Sequence, residues 1–137
     1  MNTFLMAAAL GAAILLCALT VEQTRLRRHR GASRDEFVRS FGGIGIPTVI
    51  SATVYDYYKS TALSPKFGIL PDDTYEETLR KGGEDIDGDA RFLVSQLGLK
   101  MPPQEALIQR GMQIRTLRDM VVWLDWVRSH QPGDVRL

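Results

Sequence analysis

Four acidic side chains, Glu84, Asp85, Asp87 and Asp89, fall within one short stretch of a 137-residue chain. Carboxylates this close together hold a divalent cation, favour the start of a helix, or present a docking face to a basic surface. An EF-hand loop reads D-x-D-x-[DN]-G with a bidentate glutamate at position twelve. Asp85, Asp87 and Asp89 match its first three ligand positions. Ala90, however, stands where glycine must turn the loop, and Gln96 stands where the glutamate belongs. The stretch therefore predicts no metal site. The same charges suit the positive end of a helix dipole. Exposed along a helix, Asp85, Asp87 and Asp89 with Arg91 beside them would offer a binding edge to a basic protein. Other reactive groups are sparse. His29 sits among arginines and His130 near a helix end, and neither has a Ser or Cys nucleophile beside it in sequence. A single cysteine, Cys17, excludes an internal disulfide. The residues predict no catalytic constellation and no cofactor.

The elements that position these residues begin with an uncharged run, Thr3 to Val21. Its length matches the roughly 20 residues a helix needs to cross a ~30 Å hydrocarbon core. Phe4, Leu5, Leu10, Ile14, Leu15, Leu16, Leu19 and Val21 contribute about −2 to −5 kcal/mol of insertion free energy together. No Lys or Arg precedes the run, and Ala18-Leu19-Thr20 is a poor cleavage site, so a spanning anchor is favoured over a cleaved signal peptide. Arg25, Arg27, Arg28 and Arg30 follow at once. The positive-inside rule places that side in the cytoplasm, and this basic collar suits anionic headgroups. The patch is short, with no interleaved aromatics, which argues against nucleic-acid binding.

Ser33-Arg34-Asp35-Glu36 has the spacing of a capping box, predicting a short connector helix through Phe37 and Phe41. Gly42-Gly43-Ile44-Gly45 should end it as a flexible link. This GGIG lacks the GK[ST] of a phosphate loop. Pro47 suits a first helical turn, and Ile46, Ile50, Val54 and Tyr57 predict a helix to about Ser60. Pro65 and the Phe67–Pro71 stretch interrupt it. A further helix should begin near Asp85 or Asp87, with Ala90, Leu93, Val94 and Leu97 inward and Gly98 at its C-terminus. One or two turns follow from Gln104 to Arg110, stopped by Gly111. Thr116 caps a last helix whose apolar face is Leu117, Met120, Val121, Leu124 and Val127. Trp123 and Trp126 widen that face, and Tyr55, Tyr57 and Tyr58 divide between core and surface. No period-two alternation is long enough for a sheet. The fold class is all-α. The expected divisions are an anchor over residues 1–21, a basic connector over 22–45, a helical domain over 46–130 and a flexible tail over 131–137.

Several phrases, in order, resemble the acyl carrier protein family. Leu70-Pro71-Asp72-Asp73-Thr74-Tyr75-Glu76-Glu77-Thr78-Leu79 is similar to the family's loop segment. Leu97-Gly98-Leu99-Lys100-Met101-Pro102 is similar to the F-G-I-x-I-P phrase that ends its second helix. Ile114-Arg115-Thr116-Leu117-Arg118-Asp119-Met120-Val121 is similar to the I-x-T-V-x-D-[AL]-V opening of its last helix. The resemblance implies a small four-helix bundle in a bacterial protein. Carriers also bear a D-S-L motif whose serine takes the phosphopantetheine arm. This chain has Gly83-Glu84-Asp85-Ile86-Asp87 there, a degenerate motif with no hydroxyl. Attachment needs a hydroxyl nucleophile at an exposed helix start. The expectation is a single-pass protein of the bacterial inner membrane with its C-terminal domain in the cytoplasm. That domain would be a carrier-like interaction module holding a basic cytoplasmic protein surface. Two alternatives remain open: a working carrier modified at a non-standard residue, and an immunity-type or other small regulatory protein. Oligomeric state is left open.

Overall fold

The structure, a computed structural model, describes residues 33–61 and 68–131. The anchor expected over residues 1–21, Cys17, the collar Arg25, Arg27, Arg28 and Arg30, and the tail beyond Gln131 lie outside the described residues. Among the described residues no helix is long and apolar enough to cross a membrane. These residues form an all-helical bundle: α1 (Arg34–Arg39), a 3₁₀ turn (Gly42–Ile44), α2 (Thr48–Thr61), α3 (Gly83–Gln96), α4 (Gln104–Arg110) and α5 (Leu117–Ser129). Among the described residues, the one departure from helix and loop is an isolated antiparallel bridge between Thr74 and Thr116.

Helix α5 is the centre of the packing. Leu117, Met120, Val121, Leu124 and Val127 recur at three-to-four spacing and all are fully buried. They meet Ile50, Val54 and Tyr58 from α2, and Leu93 and Val94 from α3, in one core. Its start is fixed twice over. Thr116 Oγ1 accepts from Asp119 N at 3.2 Å while the Asp119 carboxylate accepts from Thr116 N at 2.9 Å, a reciprocal capping box. Leu117 N and Arg118 N then donate to the carbonyls of Asp73 and Pro71. The loop before α3 thus satisfies amides that a helix start leaves without partners.

The connector is not a separate element joined by a flexible link, and that expectation is corrected. Ser33 and Glu36 do form the predicted capping box. Phe37 and Phe41, though, are buried in the main core, with the Phe37 ring 5.4 Å from both Phe41 and Tyr55. Arg34 makes two bonds to Asp56 of α2, at 2.8 and 2.9 Å. The glycines form a tight turn, with Gly45 at φ 72°, where a residue with a Cβ would be strained. Two large aromatics carry more burial than the glycine run can undo.

Two smaller boundaries also move. Helix α3 starts at Gly83, ahead of the expected Asp85 or Asp87, because the Asp85 carboxylate reaches back to Gly82 N at 3.2 Å. The buried face of α2 is Ile50, Ser51, Val54, Tyr55 and Tyr58, with Tyr57 at its edge. Gly98 ends α3 as expected, at φ 66°, with Leu99 N bonded to Val94 O and Gly98 N to Ser95 O, the paired pattern of a Schellman motif.

Candidate functional site

The acidic stretch is distributed around α3 rather than along one edge of it. Residues two apart on a helix point in nearly opposite directions. Asp85 is exposed and caps the helix start. Asp87 is exposed and pairs with Arg91 one turn on, at 3.0 Å. Asp89 points inward and is only 6% exposed. A docking edge of Asp85, Asp87, Asp89 and Arg91 is therefore corrected: Asp89 is removed from it, and Asp85 and Asp87 lie on different flanks.

Asp89 is the hub of a buried polar cluster. Tyr57 Oη donates to its Oδ1 at 2.5 Å, Tyr58 Oη donates to Oδ2 at 2.8 Å, and Lys81 Nζ donates to Oδ2 at 2.7 Å. Tyr75, fully buried, extends the chain by donating to Tyr58 Oη at 2.9 Å. Lys81 Nζ also lies 5.3 Å from the Tyr58 ring and 5.7 Å from the Tyr57 ring, within cation–π range. A buried carboxylate is tolerated only when its charge is paired and its lone pairs are filled, and here both conditions hold.

The loop is shaped to deliver these partners. Asp73 accepts from Leu70 N at 2.8 Å and forms a turn. Tyr75 N bonds Arg115 O, and Lys81 N bonds Tyr75 O. Arg80 between them adopts a left-handed backbone, φ 53°. The loop is thus closed on itself with Tyr75 in the core and Lys81 over Asp89.

The three phenols hold their protons tightly. Burial first, then the hydrogen bond to Asp89, pushes the Tyr57 phenol up to about 12. Burial likewise raises Tyr58 and Tyr75 well above the ordinary tyrosine value. None of these phenols is a base or nucleophile near neutrality. The arrangement ties α2, α3 and the loop together.

Beside the cluster, the start of α3 opens on a cleft of about 660 Å³ bordered by Glu76, Lys81, Gly83, Ile86, Ile114 and Arg115. Glu84, Asp85, Ile86 and Asp87 supply no hydroxyl here. The bordering aliphatic hydroxyl is that of Thr74, which accepts from Glu77 N at 3.2 Å within its own turn. Among the described residues, no three His, Cys, Asp or Glu side chains are grouped to hold a metal ion.

The sequence offers Asp89 as a docking carboxylate and points to neither Lys81 nor the Tyr75 hydroxyl as part of a buried cluster. One signal was present: Asp89 falls on the same helical stripe as Ile86, Ala90 and Leu93, facing the core. Compared with protein-family models, curated proteins and solved structures, the chain matches none.

Proposed function

We propose that this chain is a non-enzymatic protein-interaction module with an acyl-carrier-like fold and no phosphopantetheine site, tethered to the bacterial inner membrane by residues 1–21. The observation that carries this reading is the start of α3, where Gly82, Gly83 and Ile86 border an open cleft and none of residues 82–87 carries a hydroxyl. Phosphopantetheinyl transfer joins the arm to a serine oxygen, so this helix start offers no acceptor atom. The partner in this reading is a basic cytoplasmic surface. It meets the exposed carboxylates Glu84 and Asp87, neighbours three residues apart on one flank of α3, with Arg91 setting the limit of the acidic region.

The full chain is incubated with coenzyme A and a broad-specificity phosphopantetheinyl transferase and weighed intact. The mass should not change. A gain of about 340 Da, the mass of the arm, would overturn the reading. Membrane attachment is checked separately. The full chain should stay in the membrane fraction after an alkaline carbonate wash, and removing residues 1–21 should release it.

A further inference from the structure

Helix α3 carries a glycine that nothing inside the domain requires. Gly88 lies in the helix interior, where glycine is less favourable than alanine. A Cβ added there would meet no atom within 4 Å. One turn later Phe92 is 47% exposed, its ring 5.1 Å from the Tyr57 ring. About one turn earlier lies the exposed Asp85. The helical period places Asp85 and Phe92 about 20° apart on the flank where Phe92 meets Tyr57 of α2, Gly88 about 40–60° from them toward solvent, and Asp87 with Arg91 beyond it. A bare stretch of backbone between a carboxylate and an open aromatic face is a seat for an approaching chain. The chemistry it selects is guanidinium, which pairs with carboxylates and stacks on aromatic rings.

The protein carries such a chain close by. Arg25, Arg27, Arg28 and Arg30 end just before Ser33. The first described helix is pinned beside the seat, because Arg34 binds Asp56, the residue before Tyr57. Four to nine extended residues reach roughly 13–30 Å. That exceeds the ~10 Å breadth of a helix, and Asp56 and Tyr57 are consecutive residues of α2. We propose that the arginine segment 25–30 docks on the Asp85–Gly88–Phe92 flank of its own α3. The docked segment covers this flank against other basic partners, and its arginines are then withheld from the lipid surface. The inference stands on charge, reach and exposed surface, and it holds whether or not the domain is carrier-like.

The test uses the full chain in non-ionic detergent, with Phe92→p-benzoylphenylalanine as a photo-crosslinker and products mapped by mass spectrometry. Cross-links to residues 22–32 are expected. Asp85→Asn, which keeps a capping acceptor, should lower their yield about threefold, in line with the loss of one exposed charge pair. Replacing Arg27 and Arg28 by Gln, outside the described fold, should lower it further. Asp87→Asn, the same charge change on the opposite flank, should leave it intact. Cross-links that fall elsewhere would overturn the proposal, as would an equal loss from Asp87→Asn. A mixture of ¹⁵N-labelled and unlabelled chains separates one further case: cross-links between unlike chains would replace the chain's own segment with that of a second copy, and overturn the intramolecular form.

Discussion

Helices α3 and α5 both place an aspartate at the third position, Asp85 and Asp119, and both carboxylates reach back to the backbone before the helix. Beyond that they differ. Helix α5 begins with Thr116, which returns the hydrogen bond, and its next two amides are taken by loop carbonyls. Helix α3 begins with Gly82, which has no side chain to return anything. Inside, α5 buries a purely apolar face, while α3 buries a carboxylate with a lysine and two phenols on it. One helix is held by packing and capping, the other by a polar hub that a single substitution can leave incomplete.

The largest effect expected from breaking this contrast is at the hub. Asp89→Ala strands the Lys81 ammonium and two tyrosine hydroxyls, and should cost about 3–5 kcal/mol in urea unfolding. The pair Lys81→Met with Asp89→Leu removes both charges and should be clearly milder than Asp89→Ala alone, despite changing more atoms.

Alkali should attack the same hub. Each cluster phenol is harder to ionise in the folded chain than in the unfolded one. Its stabilisation is complete below the unfolded value near pH 10 and is lost as pH rises through the folded value, about 12 for Tyr57. Tyr55, the fourth tyrosine, is raised too, by burial and then by Asp56. Phenolate absorbance should therefore begin to rise above the ordinary tyrosine value near pH 10. A later, steep rise should coincide with loss of helical circular dichroism.

Capping gives the next effect. Thr116→Ala should cost about 1 kcal/mol, measured by the same urea titration. Gly88→Ala should move the other way and stabilise by about 0.5–1 kcal/mol, since the added methyl meets open space. The smallest effect sharpens the comparison directly: Gly82→Ser gives α3 the cap it lacks and should gain a few tenths of a kcal/mol.

What the sequence disclosed follows the same division. Helix α5 was legible throughout, because an apolar stripe, a Thr-x-x-Asp box and strong periodicity all point one way. Gly98 and Gly111 marked helix ends for the same reason, each taking a left-handed backbone. The hub was not legible. A buried aspartate has the same letter as an exposed one, and its partners come from residues 57, 58 and 81. Neither periodicity nor a motif connects those positions; only the closing of the 68–82 loop does. The connector was misjudged because glycine runs signal flexibility locally, whereas the burial of Phe37 and Phe41 depends on a surface that α2 supplies. At the candidate site the missing hydroxyl was plain from the letters. The separation of Asp85 from Asp87 required the helix itself.

The C-terminus holds a last consequence. The sequence alone places Gln131 at the start of a flexible tail, yet its side-chain amide accepts from Lys100 N at 2.8 Å and donates to Lys100 O at 2.8 Å. It also donates to Val127 O at 3.0 Å. That one amide clasps the turn after α3 to the end of α5, so an affinity tag fused directly after His130 would unfasten two distant parts of the bundle, whereas one fused after Leu137 would leave the clasp in place.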